Sequence, residues 1–426
     1  MFMSAPRGTR DILSPEVEKW HYLEDQIRKY CRLYAYSEIR PPIFEHTELF
    51  LRGVGETTDI VQKEMYSFQD RAERWLTLRP EATASTVRAY LENKLYAQPQ
   101  PVKLYYMGPM FRYDRPQAGR YRQFYQFGVE VIGAGEPAAD AEVILLAVHL
   151  FAHLGLKNLE VHLNSIGCPA CRGAYRAKLL DYLSQHIEGL CRDCQARYQH
   201  NPLRVLDCKQ EGCRGIAQGA PEFGAYLCAE CKEHFAQVQA YLGDLGVKYQ
   251  LNPSLVRGLD YYTKTVFEII SRELGAQGTI CGGGRYDGLV EECGGQPTPG
   301  VGFALGMERL LLTLENSGIE LPGLEPLDVF VASIGAGVQG PAFGILYELR
   351  RHSIRADKDY LGRSLKAQMK QAHRYGAPFV ILVGEEELAR DVVILREMAT
   401  GKQAEVPLGE ISQRILALMG GMEDER

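Results

Sequence analysis

The hydrophobic and polar positions of residues 1–320 predict long amphipathic helices mixed with alternating or aromatic-rich strands. Apolar residues recur at helical spacing in segments 15–36, 82–95 and 140–154. The regular alternation of strand and helix that is typical of a doubly wound sheet is absent from this region. The pattern therefore favours an α+β fold whose sheet is largely antiparallel.

One predicted strand carries polar side chains on a single face. Segment 124–132 reads as a strand, and a side-chain period of two puts Gln126, Gly128 and Glu130 on the same side. A glycine between two polar side chains leaves room for a small ligand against the backbone. Arg112, on the preceding predicted strand, would supply a cation for a phosphate or carboxylate. The sequence thus predicts a pocket for a charged small molecule.

The pattern changes after a cluster of glycine and proline at 314–327, which predicts a linker. Beyond it, short apolar strands alternate with helical segments, and the last two strands flank a turn at Thr400 and Gly401. This arrangement predicts a compact α/β domain of about a hundred residues. The predicted strands after the linker are 328–333, 353–357, 379–384, 392–398 and 404–408.

Composition is that of an ordinary globular protein. Of 426 residues, 46% are hydrophobic and 24% charged, enough to bury a large core in two or three domains. The N-terminal segment lacks the apolar core of a signal peptide, and the longest apolar stretches are too short and interrupted to cross a bilayer. We therefore expect a cytoplasmic protein without a membrane partner, whose eleven cysteines experience reducing conditions.

The formal net charge of −6 gives no global sign of nucleic-acid binding, so an RNA contact needs a local basic surface. Segment 345–375 carries eight basic residues against three acids, and its last four bases recur at helical spacing opposite Leu365, Met369 and Ala372. Charge pattern alone leaves two interpretations, a solvated helix face or an RNA-binding surface. The eight bases are Arg350, Arg351, Arg355, Lys358, Arg363, Lys366, Lys370 and Arg374.

Region 166–249 carries eight of the eleven cysteines in four close pairs. The first two pairs fit a structural zinc pattern, because thiolates separated by two residues can share one tetrahedral ion, and the last two form a looser set. Disulfides are disfavoured in a cytoplasmic chain, and unpaired buried thiols are the remaining alternative. We expect up to two zinc ions, with the pairing of ligands left open. The pairs are Cys168 with Cys171, Cys191 with Cys194, Cys208 with Cys213, and Cys228 with Cys231.

Two motifs resemble those of a known family. The segment RPQAGRYRQFYQFGVEVIG at 115–133, with the arginine ahead of it, is similar to the second signature motif of class II aminoacyl-tRNA synthetases. Within that class, this segment and LVRGLDYYTKTVFEI at 255–269 resemble histidyl-tRNA synthetase. The resemblance begins at APRGTRDILSP, residues 5–15, and continues through the C-terminal region.

The resemblance implies a catalytic domain with an antiparallel sheet, a cysteine-rich insertion within it, and a C-terminal α/β domain that binds the anticodon. It also implies a homodimer whose interface includes the helix and strand that end at Pro41 and Pro42. Members of the family often lack these cysteines, so zinc here would be architectural rather than catalytic. The expected boundaries are 1–165 and 250–320 for the catalytic domain, 166–249 for the insertion and 327–426 for the anticodon-binding domain.

The implied reaction joins histidine to tRNA(His) through a histidyl-adenylate, using ATP with Mg²⁺. In-line attack of the histidine carboxylate on the α-phosphate needs positioning and charge neutralisation. The resemblance assigns Arg112 to the α-phosphate, and Arg309, in GVGFALGMERLLL, to the tail of ATP. It assigns Arg257, in LVRGLDYY, to the reacting carboxylate and the α-phosphate, as the electrostatic catalyst.

Recognition of histidine requires groups for the imidazole and for the α-ammonium. A neutral imidazole has one donor and one acceptor nitrogen, so a carboxylate paired with a hydroxyl suits it. The resemblance assigns Glu130 and Tyr262 to these roles. Ala82 stands where the family commonly has glycine. The residues implied at the ammonium are Glu81, Thr83 and Gln126, whereas Tyr261 and Tyr286 complete the pocket.

The resemblance also implies tRNA contacts from Arg115 and Gln117, in the loop before the polar strand, and from Arg363, Lys366 and Lys370. It makes RNA binding the favoured interpretation of the basic segment.

Two rival classes of protein share this catalytic fold. Synthetase-like regulatory subunits of ATP phosphoribosyltransferase sense histidine without charging tRNA, but they typically lack the anticodon domain and lose the catalytic arginines kept here. An ammonia-dependent asparagine synthetase would need neither the basic C-terminal domain nor LVRGLDYY. Neither a G-x-G-x-x-G nor a Walker A sequence is present to support another nucleotide-binding fold.

Overall fold

The computed structural model describes residues 3–55, 58–117, 119–271 and 278–423. The chain divides into two compact units, Met1–Pro322 and Gly323–Arg426, each with its own sheet and core. Helices and strands are both abundant, which confirms the α+β prediction. Within the described ranges, none of the helices is long and apolar enough to cross a membrane.

Strands of the first unit form a large sheet and a small one. They are β1 (Ser37–Glu38), β2 (Phe44–His46), β3 (Tyr66–Gln69), β4 (Trp75–Leu78), β5 (Val102–Phe111), β6 (Gln123–Ile132), β7 (Leu159–Ser165), β8 (Tyr249–Leu251), β9 (Thr263–Ser271), β10 (Thr279–Arg285) and β11 (Gly300–Gly306). The eight-stranded sheet has the order β1-β5-β6-β11-β10-β9-β7-β8. Only its end pairs β1–β5 and β7–β8 are parallel, so the prediction of a largely antiparallel sheet is confirmed.

Helices of the first unit pack in more than one hydrophobic cluster. They are α1 (Glu16–Leu33), α2 (Thr47–Val54), α3 (Thr83–Glu92), α4 (Pro137–His153), α5 (Pro169–Ser184), α6 (Arg192–Arg197), α7 (Leu203–Leu206), α8 (Glu211–Gln218), α9 (Ala229–Asp244), α10 (Leu289–Glu292) and α11 (Met307–Asn316). Leu23 of α1 and Leu150 of α4 share a core with Phe127 and Phe303, whose rings meet edge to face at 5.6 Å. Each such buried side chain contributes about 1.5–3 kcal/mol.

Strand β6 turns its apolar and polar side chains to opposite faces of the sheet. Phe127 and Val129 point into the helix-covered core, so the period of two turns Gln126 and Glu130 to the other face. Strand β5 ends at Phe111, and Arg112 therefore lies one residue beyond the strand on which the sequence placed it.

The cysteine-rich insertion consists of helices α5–α9 between β7 and β8. Its core is continuous with the loop that leads into β9, because Val205 and Leu206 belong to the same hydrophobic cluster as Val256, Tyr261 and Tyr262. The insertion thus packs directly against the loop that carries LVRGLDYY, residues 255–262.

The second unit is an α/β domain, as predicted. Its elements are β12 (Val329–Ile334), α12 (Gln339–Arg351), β13 (Ala356–Lys358), α13 (Leu365–Arg374), β14 (Phe379–Gly384), α14 (Glu385–Leu388), β15 (Val392–Glu397), β16 (Gln403–Pro407) and α15 (Ile411–Glu423). The sheet order is β13-β12-β14-β15-β16, with β13, β12 and β14 parallel and the last two strands an antiparallel hairpin. The linker before the second unit begins later than the predicted residue 314, because α11 extends to Asn316.

Candidate active site

Two adjoining cavities open on the sheet face that carries Gln126 and Glu130. The inner cavity has a volume of about 160 Å³ and the outer one about 390 Å³, and Arg112, Gln126 and Arg257 line both. Every residue that the resemblance assigns to histidine lines the inner cavity: Glu81, Thr83, Gln126, Glu130, Arg257, Tyr261, Tyr262 and Tyr286. The three arginines implied in catalysis, Arg112, Arg257 and Arg309, line the outer cavity.

Glu130 lies at the bottom of the inner cavity and is only 1% exposed. The Tyr286 hydroxyl donates to its Oε2 at 2.6 Å, and the Thr83 hydroxyl donates to its Oε1 at 2.8 Å. Tyr106 approaches Oε1 at 3.5 Å. Burial raises the pKa of Glu130 to about 8, although the hydrogen bonds from Tyr286 and Thr83 act in the opposite direction. The carboxyl group is thus held in one orientation by three hydroxyls.

Glycines make room for this carboxyl group and its partners. A Cβ on Gly302, the cross-strand neighbour of Glu130, would lie 2.0 Å from the Glu130 Oε2 atom. A Cβ on Gly128 would lie 2.4 Å from the Tyr106 hydroxyl. The prediction that Gly128 leaves space for a ligand is therefore wrong, because the Tyr106 ring, paired across from it on β5, occupies that space.

Glu81 lies beside the N-terminus of α3. Its carboxylate accepts hydrogen bonds from the backbone N–H groups of Thr83 at 2.7 Å and Ala84 at 3.0 Å, an arrangement that satisfies orphan donors of the first helical turn. Burial raises the pKa of Glu81. Ala82 has a negative φ and packs in a small cluster with Tyr106, so its methyl group causes no strain where the family commonly has glycine.

Gln126 presents an acceptor to the cavity. Its side-chain Oε1 atom is buried and has no hydrogen-bond partner among the described residues. Buried polar atoms are nearly always paired, so such an atom at a cavity wall indicates a donor supplied by a ligand. The Gln126 amide therefore suits an ammonium group close to Glu81.

Arg257 lies between the two cavities. Its guanidinium packs on Gly282, where a Cβ would lie 2.5 Å away, and it pairs with the Glu268 carboxylate. Burial alone would lower the pKa of Arg257, but Glu268 and the neighbouring Tyr262 raise it above its usual value. The group stays cationic in a largely desolvated position, where it interacts strongly with an anion.

Arg112 and Arg309 flank the outer cavity. The Arg112 Nε donates to the Pro80 carbonyl at 2.8 Å, and its guanidinium lies 5.3 Å from the centre of the Phe124 ring. The Arg309 Nη1 donates to the Thr279 carbonyl at 3.0 Å. Burial lowers the pKa of both arginines from a very high value, which leaves them charged.

Tyrosines close the inner cavity. The rings of Tyr261 and Tyr262 lie 4.7 Å apart, and Tyr261 meets Tyr286 edge to face at 5.8 Å. Burial raises the pKa of all three hydroxyls, so they stay protonated and can donate or accept.

Several cavity residues were missed by the sequence analysis. Tyr106 is the clearest, since its role depends on the β5–β6 register that places it opposite Gly128. The insertion also contributes Arg204, Asp207 and Lys209 to the outer cavity. Nothing in the local sequence of the insertion predicts that these residues reach the cavity. Their position depends on how α7 packs against the loop that carries LVRGLDYY.

The residues implied in tRNA binding occupy two exposed surfaces. Arg115 and Gln117 are exposed in the loop after β5, and Gly119 and Arg120 of the same loop line the outer cavity. In the second unit, Arg363, Lys366 and Lys370 are exposed around α13, although Arg363 precedes the helix.

Not all side chains of the basic segment 345–375 are exposed. Lys358 is 5% exposed and donates to Gln339 Oε1 at 3.1 Å and to the Asp359 carbonyl at 2.9 Å. The expectation that all eight bases belong to one surface is wrong for Lys358, because β13 points it into the domain. On α13, Gln368 and Ala372 face inward, which leaves Lys366 and Lys370 outward.

The eight cysteines form two groups that could each hold a metal ion. Within each group the sulfur atoms all lie within 4.8 Å of one another. The pairing that the sequence left open is resolved as follows: the first pair meets the last, and the two middle pairs meet each other. The outer group is Cys168, Cys171, Cys228 and Cys231; the inner group is Cys191, Cys194, Cys208 and Cys213.

Geometry within the groups suits tetrahedral thiolate coordination. The Sγ atoms of Cys168 and Cys171 are 3.6 Å apart and those of Cys191 and Cys208 are 3.9 Å apart. A tetrahedral zinc with Zn–S bonds of about 2.3 Å has S···S edges of about 3.8 Å, whereas a disulfide bond is about 2.05 Å long. Backbone N–H groups also donate to Sγ of Cys171 and Cys213, each at 3.1 Å, a typical outer-shell contact of a thiolate ligand.

Residues 8–310 match the family model described as histidyl-tRNA synthetase, and residues 328–418 match an anticodon binding domain. A histidine–tRNA ligase of Desulforamulus reducens is 59% identical over 96% of this chain and 98% of its own length. One of Pelotomaculum thermopropionicum is also 59% identical, over 97% of each chain. The apo histidyl-tRNA synthetase of S. aureus is 43% identical, with a TM-score of 0.82 across 97% of this chain and 100% of that structure. The two cavities hold a buried carboxylate and three arginines, as the resemblance implies. The matches span nearly the whole chain and show that this protein belongs to the histidyl-tRNA synthetase family.

Proposed function

We propose that this chain is a histidine–tRNA ligase. It activates histidine with ATP to histidyl-adenylate, releasing pyrophosphate, and transfers the histidyl group to the 3′ end of tRNA(His), releasing AMP. The observation that carries this proposal is the buried Glu130 carboxyl group next to an arginine-lined cavity. Aminoacyl-tRNA synthetases use ATP, and members of this family bind histidine and tRNA(His).

Histidine binds with its imidazole toward Glu130 and its α-ammonium toward Gln126. An imidazole N–H donates to the Glu130 carboxylate, while the Tyr262 hydroxyl serves the other ring nitrogen. The unpartnered Gln126 Oε1 accepts from the ammonium, and the Glu81 carboxylate balances its charge. This orientation directs the histidine carboxylate toward Arg257 at the junction of the cavities.

Activation requires the carboxylate oxygen to attack the α-phosphorus while the bond to pyrophosphate breaks. Arg257 contacts both the attacking carboxylate and the α-phosphate, and Arg112 binds the α-phosphate from the other side of the cavity. Arg309 binds the phosphate tail. Because the three guanidinium groups are fixed before ATP arrives, they stabilise the developing charge without reorganisation.

Mg²⁺ accompanies ATP. The outer cavity has carboxylates of the kind that Mg²⁺ prefers, with Glu268 the nearest to Arg257. Glu268 and the nucleotide phosphates would hold the ion, which would supply further positive charge to the phosphates.

We assign the tRNA contacts to two surfaces. Arg115 and Gln117, beside the outer cavity, contact the acceptor end, where the 3′ hydroxyl meets the adenylate. The exposed bases Arg363, Lys366 and Lys370 contact phosphates of the anticodon arm.

Each of the two cysteine groups holds one Zn²⁺, which is architectural. The insertion between β7 and β8 is built from short helices, and two tetrahedral sites link its beginning, middle and end. Thiolate ligands of this kind persist in a reducing compartment, consistent with a cytoplasmic enzyme.

A homodimer is also part of the proposal. The small sheet that follows Pro41 and Pro42 exposes several large apolar side chains, among them Phe44, Phe68 and Trp75, which are 52%, 42% and 56% exposed. Such a concentration of apolar surface is typical of a protein interface. A second copy of the chain covers it.

The rival function is histidine sensing without catalysis, as in a regulatory subunit. A sensor needs the inner cavity but has no need of three arginines around the outer one or of the anticodon-binding domain, and this chain has all of them.

Replacement of Arg257 tests the proposal directly. Arg257→Ala should reduce histidine-dependent pyrophosphate exchange by roughly 10²–10³-fold, since loss of one such donor costs about 2.7–4 kcal/mol. Arg390→Ala, which removes an exposed arginine of the second unit that pairs with Glu405, is the matched control. Near-normal exchange by a folded Arg257→Ala protein would contradict the proposal.

A further inference from the structure

The insertion reaches the active site through one short stretch of chain. Arg204, Asp207 and Lys209, which follow or lie within α7, line the outer cavity together with Arg112 and Arg309. Lys209 is exposed, and its ammonium makes no ion pair within 4.0 Å among the residues that the structure describes. Lys209 adds a cation to a cavity that Arg112, Arg257 and Arg309 already make suited to phosphate oxygens.

Lys209 is adjacent to a cysteine of the inner group. Cys208 belongs to the inner group, and its Sγ lies 3.9 Å from that of Cys191. Adjacent Cα atoms are about 3.8 Å apart, so a metal bound by Cys208 fixes the backbone of both its neighbours. Asp207 and Lys209, on either side of this ligand, are the two neighbours that line the cavity.

The other end of the stretch is held by the catalytic part of the unit. The Arg204 Nη2 lies 3.6 Å from Asp59 Oδ2, and its Nη1 lies 3.4 Å from Asp207 Oδ2. Val205 and Leu206 are buried in the cluster that contains Tyr261 and Tyr262. The stretch is therefore fixed at its start by packing and ion pairs, while its end depends on the inner cysteine group.

We propose that the inner cysteine group, loaded with Zn²⁺, positions Lys209 as a further ATP-binding residue that contacts phosphate oxygens in the outer cavity. The inference rests on the ligase function proposed above and assigns part of the nucleotide site to the insertion. The outer group has a different role, since none of its cysteines or their immediate neighbours lines either cavity.

Lys209→Ala in the full-length zinc-loaded enzyme tests the phosphate contact. We expect KM for ATP in pyrophosphate exchange, and the Kd for ATP by calorimetry, to rise about tenfold, as for loss of one charge-assisted hydrogen bond. KM for histidine should not change. Lys178→Ala, which removes an exposed lysine of α5 remote from both cavities, is the control. An unchanged ATP affinity, or a defect confined to KM for tRNA, would overturn the proposal.

Cys208→Ser and Cys228→Ser test the positioning. Both variants should lose about one zinc ion per chain by elemental analysis, but only Cys208→Ser should weaken ATP binding to the level of Lys209→Ala. The double variant Cys208→Ser with Lys209→Ala should be no worse than either single variant. A Cys208→Ser protein that lacks one zinc yet binds ATP normally would overturn the positioning role.

Failure of this inference is distinguishable from failure of the proposed function. If the unmodified enzyme shows no histidine-dependent exchange, the ligase assignment is wrong whatever Lys209 does. If exchange is normal and Lys209→Ala is silent, the ligase assignment stands and only the insertion's part in ATP binding is lost.

Discussion

At the scale of single residues, Glu130 shows how burial and hydrogen bonding oppose each other. Its isolation from water favours the neutral acid and raises its pKa to about 8, while Tyr286 and Thr83 stabilise the anion. An imidazole N–H entering the cavity adds a further donor to the carboxylate. The site is therefore completed by its ligand rather than by the protein alone.

Glu130→Gln should raise KM for histidine by roughly tenfold or more and change KM for ATP little. The amide presents a donor where the imidazole N–H also donates, which leaves a mismatched polar pair in a buried site. Pyrophosphate exchange at varied histidine and varied ATP provides both constants. Equal changes in the two constants would mean that Glu130 serves only the fold.

The same substitution should change stability in a pH-dependent way. The unfolded carboxyl ionises near pH 4.5 and the folded one near 8, so the unmodified protein without ligand loses stability as the pH rises through this interval. Glu130→Gln lacks that loss, and its Tm relative to the unmodified protein should increase from pH 5 to pH 8. A Tm difference that is constant across this range would contradict the raised pKa.

Gly302→Ala tests the fit around Glu130. The new methyl carbon would lie 2.0 Å from Glu130 Oε2 and 2.3 Å from the Val129 carbonyl oxygen, so the carboxyl group must move. Since the second contact is with backbone, β6 must shift as well, and we expect loss of histidine-dependent exchange together with a lower Tm. Gly288→Ala, whose new carbon would meet only the Glu292 side chain at 3.9 Å, should retain activity. Equal activity of the two variants would mean that Glu130 is not needed where it lies.

The sequence predicted the side chains of the site better than their surroundings. The period of two in β6 places Gln126 and Glu130 on one face without knowledge of any other strand. Tyr106 could not be identified in this way, since its contact with Glu130 depends on the register that pairs it with Gly128. Side chains that act across strands need tertiary information.

At the scale of elements, α13 carries the prediction about RNA. Lys366→Glu with Lys370→Glu should weaken tRNA charging and leave pyrophosphate exchange unchanged, because both side chains point away from the domain core. The defect should be largest at low salt and shrink as ions screen the phosphates. The control is Lys402→Glu, which reverses the charge of an exposed lysine in the β15–β16 hairpin. Unchanged charging at all salt concentrations would mean that the basic side chains of α13 form a solvated face that does not bind RNA.

Most elements were predictable from their patterns, and the pairing of the cysteines was not. Hydrophobic spacing is local, and the helices predicted at 15–36, 82–95 and 140–154 are all present, the first two slightly shorter and the third beginning three residues earlier. Spacing between cysteines is equally local, but which pairs meet depends on the path of α5–α9. The nested arrangement, outer pairs together and inner pairs together, appears only when the insertion has folded.

At the scale of the whole molecule, the two compact units divide the chemistry. All residues that line the two cavities lie within Met1–Pro322. A chain that ends at Pro322 should therefore retain histidine-dependent pyrophosphate exchange and lose tRNA charging. Its fold is checked by thermal unfolding, and its oligomeric state by sedimentation. Charging at an undiminished rate would mean that the second unit does not bind tRNA.

Activation of histidine and its transfer to tRNA are the two steps proposed for this chain. The most direct measurement is ATP–pyrophosphate exchange by the unmodified enzyme with and without histidine, followed by charging of tRNA(His) under the same conditions. We predict exchange that depends on histidine and is not supported by asparagine or aspartate, and charging that requires both ATP and histidine. Binding of histidine without exchange or charging would contradict the account and identify a histidine sensor instead.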